Sequence, residues 1–147
     1  MASQASVNLV TRFHALDLVS FHVFEKPEDL VVDPAKIIFE IHIQLNLNAA
    51  ESKVTIVNPV EIFADASRAL KLGAISVKAE FVIENFEEVQ VNNELPVPVA
   101  ATLIGVLISS TRGMLKLMAR GSCFESAIIP ILNPLSFLQA DVGAVAG

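Results

Sequence analysis

The segment that most constrains the fold is KIIFEIHIQLNLN, residues 36–48, in which apolar and polar side chains alternate along most of its length. Successive side chains of a β-strand point to opposite faces, so this pattern predicts a strand with one apolar and one polar face. The apolar face holds Ile37, Phe39, Ile41, Ile43, Leu45 and Leu47, and the polar face holds Glu40, His42, Gln44, Asn46 and Asn48. Such a strand belongs to a sheet with one face in water and the other covered.

Three further segments carry the same two-residue period. They are LDLVSFHVFEK (residues 16–26), KVTIVNPVEIFA (53–64) and ISVKAEFVIENFEEV (75–89). Asn58 and Pro59 interrupt the second of them, and because proline cannot donate to a strand ladder we expect an edge position or a bulge there. Four strands that each have one polar face predict an antiparallel sheet that is wet on one side, and its other side requires a covering layer.

The covering layer is predicted at VAATLIGVLISSTRGMLKLMAR, residues 99–120, which follows two prolines typical of a helix start. At helical spacing this segment has two apolar faces. One holds Leu103, Val106, Leu107, Met114, Leu117 and Met118, and the other holds Ile104, Ile108 and Leu115. A surface helix of a monomer needs only one such face, so we expect the second to pack on another chain.

The remaining segments complete an α+β domain. Gly121 is predicted to cap the long helix, a short helix is predicted at about residues 134–140, and DVGAVAG (141–147) is typical of a flexible tail. The predicted fold is a single domain over residues 1–147, a four-stranded antiparallel sheet covered by a long helix and a short C-terminal helix. A domain of this length buries about 68–70% of its unfolded surface, so its stability requires no disulfide or metal.

Composition narrows the classes of partner. Hydrophobic residues make up 53% of the chain and the mean hydropathy is +0.59, which exceeds the need of one core and indicates an interface or groove. The charge-free residues 97–111 are shorter than the roughly 20 residues of a membrane span, and MASQASVNLVTRF lacks the pattern of a signal peptide. A pI near 4.9 argues against nucleic acid. The single cysteine, Cys123, precludes an internal disulfide and fits a cytoplasmic location.

No motif in the sequence predicts catalysis, a cofactor or a metal. His14, His22 and His42 lack metal-ligand spacing, although His22 and His42 would approach one another if their strands paired. The glycines are too scattered for a phosphate-binding loop. The surplus apolar surface is therefore the feature that we expect to carry function, and phenylalanines near strand ends and after the long helix are its first candidates.

The order of these parts resembles the SecB family of export chaperones. In that family a long helix carrying an arginine is followed by a glycine and phenylalanine and then by a proline-asparagine loop; here Arg112, Gly121, Phe124 and PILN (residues 130–133) hold these places, followed by Leu138. LDLVSFHVFEKP and AISVKAEFVIENF are similar to the family's first and last strands. The resemblance spans residues 16–138 and is greater to the divergent SecB-like proteins, on the strength of STRG and P-x-x-N-P.

The resemblance implies a homotetramer, a dimer of dimers, that binds unfolded or preprotein chains in apolar grooves without ATP. It implies assembly through the first strands and the long helices, with Val19, Phe21, Val23, Leu103, Leu107, Ser110, Met114 and Leu117 as candidates. The candidates for client contact are Phe24, Phe63, Phe86, Phe124, Ile129 and Phe137.

The client implied is either a preprotein in export or one dedicated protein, such as the antitoxin of a toxin–antitoxin pair. The acidic, glutamine-rich tail that helps the family to hand clients to the export ATPase is replaced here by DVGAVAG, which weakens the case for that partner.

Two other classes of function stay open on sequence alone. A small-ligand binder, for instance a hot-dog-like thioesterase, would aim a carboxylate or histidine into a cleft beside the helix, and its candidates are Glu61 and His42. A structural subunit would oligomerise and bind nothing else. A ligand pocket that holds a carboxylate with a shifted pKa favours the ligand binder or enzyme. A sealed oligomer surface favours the structural subunit, and continuous exposed grooves favour the chaperone.

Overall fold

One antiparallel sheet and one long helix organise residues 8–139, the part of the chain that the computed structural model describes. The strands are β1 (Thr11–Val23), β2 (Ile38–Ile41), β3 (Gln44–Asn48), β4 (Lys53–Phe63) and β5 (Lys71–Ile83). The helices are α1 (Phe86–Val89), α2 (Val97–Met118) and α3 (Ser136–Gln139), and 3-10 turns lie at Pro34–Lys36 and Ala49–Glu51. The tail predicted for residues 141–147 lies outside the described range.

The strand order is β1-β5-β4-β2, with β3 also paired to β4, and every pairing is antiparallel. The strand predicted over residues 36–48 is divided into β2 and β3, so the sheet has five strands where the sequence indicated four. The strand predicted to continue to residue 89 ends at Ile83, and Phe86–Val89 form α1 instead. The predicted α+β class is confirmed.

Pro59 lies in the middle of β4, and β4 is a central strand, so the predicted edge position or bulge is wrong. In an antiparallel ladder the N–H and C=O of one residue point to the same neighbouring strand. The Pro59 carbonyl accepts a hydrogen bond of 2.9 Å from the His42 N–H, so the missing Pro59 donor also points there. The irregularity lies in the chain paired with β4 on that side: β2 ends and β3 begins opposite Pro59.

Helix α2 covers the apolar face of the sheet. Along β4 and β5, buried side chains alternate with partly exposed ones, as the two-residue period predicts. The α2 residues buried on the other side of this core are Ala100, Ala101, Leu103, Ile104, Leu107, Ile108, Thr111 and Leu115. The helix starts and ends two residues before the predicted bounds, and Gly121 follows it with φ of +82°, a conformation that favours glycine.

By length and composition alone, α2 would also be able to span a bilayer. Leu103 and Leu107 are fully buried in the same hydrophobic cluster as Ile56 and Val77 of the sheet. The apolar character of this helix is therefore used, on one face, for the core of a folded domain.

Candidate functional site

Strand β1 presents an apolar row on the side of the sheet that α2 covers. Cross-strand partners in a ladder point to the same face, so the burial of the β5 partners defines the side. The pairs are Phe13 with Phe81, Leu16 with Ala79, Leu18 with Val77, Phe21 with Ile75 and Val23 with Gly73, and each of these β5 residues is buried. We call Phe13, Leu16, Leu18 and Val23 the β1 apolar row.

The β1 apolar row is largely open, although its β5 partners are buried. Phe13 is 46% exposed, Leu16 38%, Leu18 40% and Val23 51%. The reason is the position of α2, which packs mainly on β4 and β5. Strand β1 is also the last strand of the sheet, with β5 as its only strand partner among residues 8–139. An edge strand offers unpaired backbone groups to any extended chain, and here apolar side chains stand beside them.

Helix α2 has a second exposed face, away from the sheet. Val106, Ser110, Gly113 and Leu117 follow one another at spacings of four, three and four residues, which places them along one stripe. Val106 is 37% exposed and Leu117 62%, and within residues 8–139 no atom outside the helix lies within 4 Å of a Cβ built on Gly113. We call these four residues the α2 outer stripe. The predicted division of α2 into two faces is wrong, because Ile104, Ile108 and Leu115, expected to pack on another chain, are buried in the core. The exposed stripe instead takes Val106 and Leu117 from the other predicted face.

A groove runs between α2 and the segment that follows Phe124. Arg112 fixes this segment, since its Nε donates a 2.8 Å hydrogen bond to the Ile129 carbonyl and its Nη2 a 2.9 Å bond to the Pro130 carbonyl. The groove holds about 640 Å³ and is lined in part by Val106, Arg112 and Ile131. Ile131 is 94% exposed, so the rim of the groove is apolar and accessible.

Four of the six residues predicted to contact clients lie in the core. Phe63, Phe86, Phe124 and Ile129 are buried, and contact with a client at these positions requires the core to open. Phe124 packs against Gly73 so closely that a Cβ on Gly73 would lie 2.7 Å from the ring.

The other two predicted client residues are closer to solvent. Phe24 is 41% exposed, and Lys71 Nζ lies 5.6 Å from the centre of its ring. Phe137, in α3, is half-buried and packs against the core. Of the predicted set, Phe24 is therefore the residue that a client can reach with least rearrangement.

The residues predicted for assembly also divide between core and surface. Leu103 and Leu107 are fully buried against the sheet, because the helix face that holds them is the one that packs inside the chain. Val19, Val23 and Leu117 are exposed. Phe21, Ser110 and Met114 are half-buried.

Sequence reasoning missed most of the β1 apolar row. The predicted strand began at Leu16, whereas β1 begins at Thr11 and includes Phe13. Register shifts at residues 13–15 and 18–20 each insert one residue, so the simple alternation breaks twice within one strand. Val19 falls in the second shift, which is why the row passes through Leu18 instead.

The polar face of the sheet holds the two candidates for an enzyme. His42 Nε2 lies 3.8 Å from Glu61 Oε1, so the structure brings this pair together. Both lie on the face of the sheet opposite α2. Alternate side chains of β4 point to opposite faces, and Asn58, which bonds to Thr111 in α2, points to the other face from Glu61. His22 and His42 do not approach one another, since β1 and β2 lie at opposite ends of the strand order.

Comparisons with known proteins identify the fold. No family model matches the sequence, and no curated protein matches it. The SecB-like chaperone Rv1957 of Mycobacterium tuberculosis, solved with a ChAD peptide from the antitoxin HigA1, superposes with a TM-score of 0.59 at 13% identity, over 83% of this chain and 89% of that one. The chain has a SecB-like fold.

The SecB-like fold is shared here without close sequence similarity, so the comparison speaks to architecture alone. A protein of unknown function from Streptococcus agalactiae covers 84% of this chain and 99% of its own length at 14% identity, with a TM-score of 0.32. That overlap is too low to support an argument about fold.

Proposed function

We propose that this SecB-like chain is an ATP-independent holdase chaperone that binds unfolded polypeptide on exposed apolar surface. The observation that carries the proposal is the β1 apolar row, four large apolar residues left between 38% and 51% exposed on an edge strand. A chain that binds nothing usually protects such an edge with charge, proline or a covering element. The likeness of the fold to a SecB-like chaperone supports the same conclusion.

The mechanism is a binding equilibrium. An extended client strand can pair with the free backbone groups of β1, which requires no particular client sequence. Its apolar side chains lose water against Phe13, Leu16 and Leu18, at about 25 cal/mol per Å² of area removed from solvent. Neither step consumes energy, so hydrolysis of ATP has no role. The net charge of −6 favours clients that carry positive charge.

Assembly into a homotetramer, a dimer of dimers, belongs to the same proposal. The α2 outer stripe supports it, since Val106 and Leu117 are exposed apolar residues separated by the small residues Ser110 and Gly113. Small residues allow the backbones of two helices to approach closely. Val19 and Val23 on β1 are the exposed members of the assembly set in the first strand.

The proposed client is a polypeptide, and the proposed location is the cytoplasm. A dedicated client such as an antitoxin is supported by the neighbour, which was solved with a peptide from an antitoxin. Service to protein export, with the export ATPase as partner, is the broader form of the proposal.

The alternative of a hot-dog-like thioesterase is less well supported. It requires a carboxylate or histidine in a cleft beside the helix, whereas Glu61 and His42 lie on the opposite face of the sheet. A purely structural subunit would seal its apolar surface on assembly. That alternative is separated from the chaperone by measuring activity and mass on the same sample.

The test is suppression of aggregation of a chemically denatured model protein, without ATP, by chain whose mass is measured by light scattering. We expect suppression at near-stoichiometric ratio. Leu18→Asp places a charge in the β1 apolar row and should weaken suppression severalfold, whereas Ser20→Asp places the same charge on the opposite face of the same strand and should not.

The two variants also separate client contact from assembly. Weaker suppression by Leu18→Asp at unchanged mass assigns the row to clients, and weaker suppression with a lower mass assigns it to assembly. A wild-type oligomer that leaves aggregation unchanged would refute the general holdase and favour the structural subunit.

A further inference from the structure

Three potential metal ligands lie together on the polar face of the sheet, at the end of β2. Glu40 in β2 and Glu61 in β4 are direct cross-strand partners, and His42 follows β2 by one residue. One ligand atom from each of the three lies within 4.8 Å of the other two. This cluster belongs to no part of the proposed chaperone surface, which lies on β1 and α2.

Two of the three distances within the cluster are close to those of a bound site, and the third, between the two carboxylates, is within 4.8 Å. His42 Nε2 lies 3.7 Å from Glu40 Oε1 and 3.8 Å from Glu61 Oε1. In a tetrahedral site with metal–ligand bonds of about 2.0–2.2 Å, neighbouring ligand atoms stand about 3.3–3.6 Å apart. A few tenths of an ångström separate the two imidazole–carboxylate distances from that geometry, which small side-chain rotations supply.

Each carboxylate is oriented by a cation on its other oxygen. Lys71 Nζ lies 2.6 Å from Glu61 Oε2, and Arg68 Nε lies 3.4 Å from Glu40 Oε2. The Oε1 atom of each carboxylate therefore faces His42. Groups that hold the outer atom of a ligand in this way fix ligand orientation in known metal sites.

The two carboxylates also lie in an unfavourable arrangement without a cation between them. Like charges directly opposite one another in a ladder destabilise the pairing. The Glu40 and Glu61 side chains are only 25% and 35% exposed, so water screens their repulsion incompletely. Lys71 and Arg68 lie on the outer oxygens, so they offset the repulsion between the two inner Oε1 atoms least. An ion bound to both Oε1 atoms would turn this repulsion into attraction.

We propose that Glu40, His42 and Glu61 bind one divalent first-row transition-metal ion, for which Zn²⁺ is the best-matched species. One imidazole and two carboxylates suit zinc, and the absence of a thiolate from this set disfavours Cu(I). Three protein ligands leave one position for water. The ion joins the short edge strand β2 to β4 at the point where the ladder stops opposite Pro59, and its role is to hold that edge in place.

The test is calorimetric titration of Zn²⁺ into the tag-free full-length chain in a buffer that does not bind the ion. One ion per chain is expected. His42→Ala and Glu61→Gln should each weaken binding at least tenfold. His22→Ala is the matched control, since His22 lies on the same polar face of the sheet, on β1, and should leave binding unchanged.

A second measurement covers the case in which the variants fold poorly. The absorption spectrum of Co²⁺ bound to the wild-type chain should show the strengthened bands of an ion with fewer than six ligands. Zinc binding that His42→Ala leaves unchanged, or a cobalt spectrum equal to that of the hydrated ion, would overturn the proposal. Neither result bears on suppression of aggregation, so the metal site and the chaperone function fail or stand separately.

Discussion

The side-chain amide of Asn58, on β4, donates a 2.8 Å hydrogen bond to the hydroxyl of Thr111, in α2. Both residues are fully buried, and the Thr111 hydroxyl donates a 3.0 Å hydrogen bond to the Leu107 carbonyl. The Asn58 Oδ1 atom has no hydrogen-bond partner in the described part of the chain. This chain of two bonds fixes the position of the helix along the sheet within an otherwise apolar contact.

Thr111→Val should therefore cost stability. The substitution keeps the size of the side chain but leaves the Asn58 amide without its acceptor, which costs about 1–3 kcal/mol when the group is buried. Thr102→Val is the control, because the exposed Thr102 bonds to the Pro98 carbonyl four residues earlier in the same helix, as Thr111 does to Leu107. The measurement is urea unfolding, and equal losses in the two variants would contradict the assigned role.

Arg112→Met should release the segment after Phe124 from the helix. Two hydrogen bonds from a charged donor to the Ile129 and Pro130 carbonyls are lost. Because the guanidinium is only partly buried, we expect a loss of about 1–2 kcal/mol, at the low end for such bonds. Hydrogen exchange of amides in residues 127–132 should accelerate. Arg120→Met, in an exposed position beyond the helix, should leave the exchange of this segment as it is in the wild type.

Gly113→Ala separates the isolated chain from an assembly. Among the described residues nothing lies within 4 Å of a Cβ on Gly113, so within one chain alanine should stabilise α2 by up to about 1 kcal/mol through helix propensity. If the α2 outer stripe packs closely on another helix, the same methyl group should instead weaken association. Thermal unfolding and light scattering on one sample decide this. An unchanged mass with a higher unfolding temperature would remove Gly113 from the assembly surface.

Gly73→Ala should destabilise the chain, in contrast to alanine at Gly113. A Cβ at Gly73 would lie 2.7 Å from the Phe124 ring and 2.8 Å from the backbone oxygen of His22. The ring can yield to some extent, but the strand backbone cannot, so we expect the cost of overpacking, about 1–3 kcal/mol. Chemical unfolding of the two alanine variants side by side gives the comparison, and a neutral effect at Gly73 would show that β1 shifts easily.

The two-residue period of the sequence predicts the buried and exposed faces of β4 and β5, because a strand buried on one side alternates apolar and polar residues along the chain. It misplaced Asn58 and Pro59 for a physical reason. The pattern indicates an interruption at this pair, yet the Asn58 side chain points into the core like its neighbours of the same parity. The Pro59 nitrogen, which carries no hydrogen, faces the gap between β2 and β3, where no donor is needed. Sequence alone does not reveal what lies across the ladder.

The rotation of α2 about its axis was a second limit. Apolar residues lie on so many sides of α2 that the pattern places Leu107 and Leu117 on one face and does not show which of them packs inside. The structure places Leu107 at 0% exposure and Leu117 at 62%. The burial of Phe124 could not be predicted either, because the space for its ring is provided by Gly73, about 50 residues earlier in the chain.

The pairing of β1 with β5 has a consequence for how the chain is made. Thr11 pairs with Ile83, so about 70 residues must follow Thr11 before its partner is made. At 5–20 residues per second, this takes a ribosome about 4–14 s. For that time β1 has no strand partner, and the nascent chain passes through the unfolded condition that the finished protein is proposed to recognise in others.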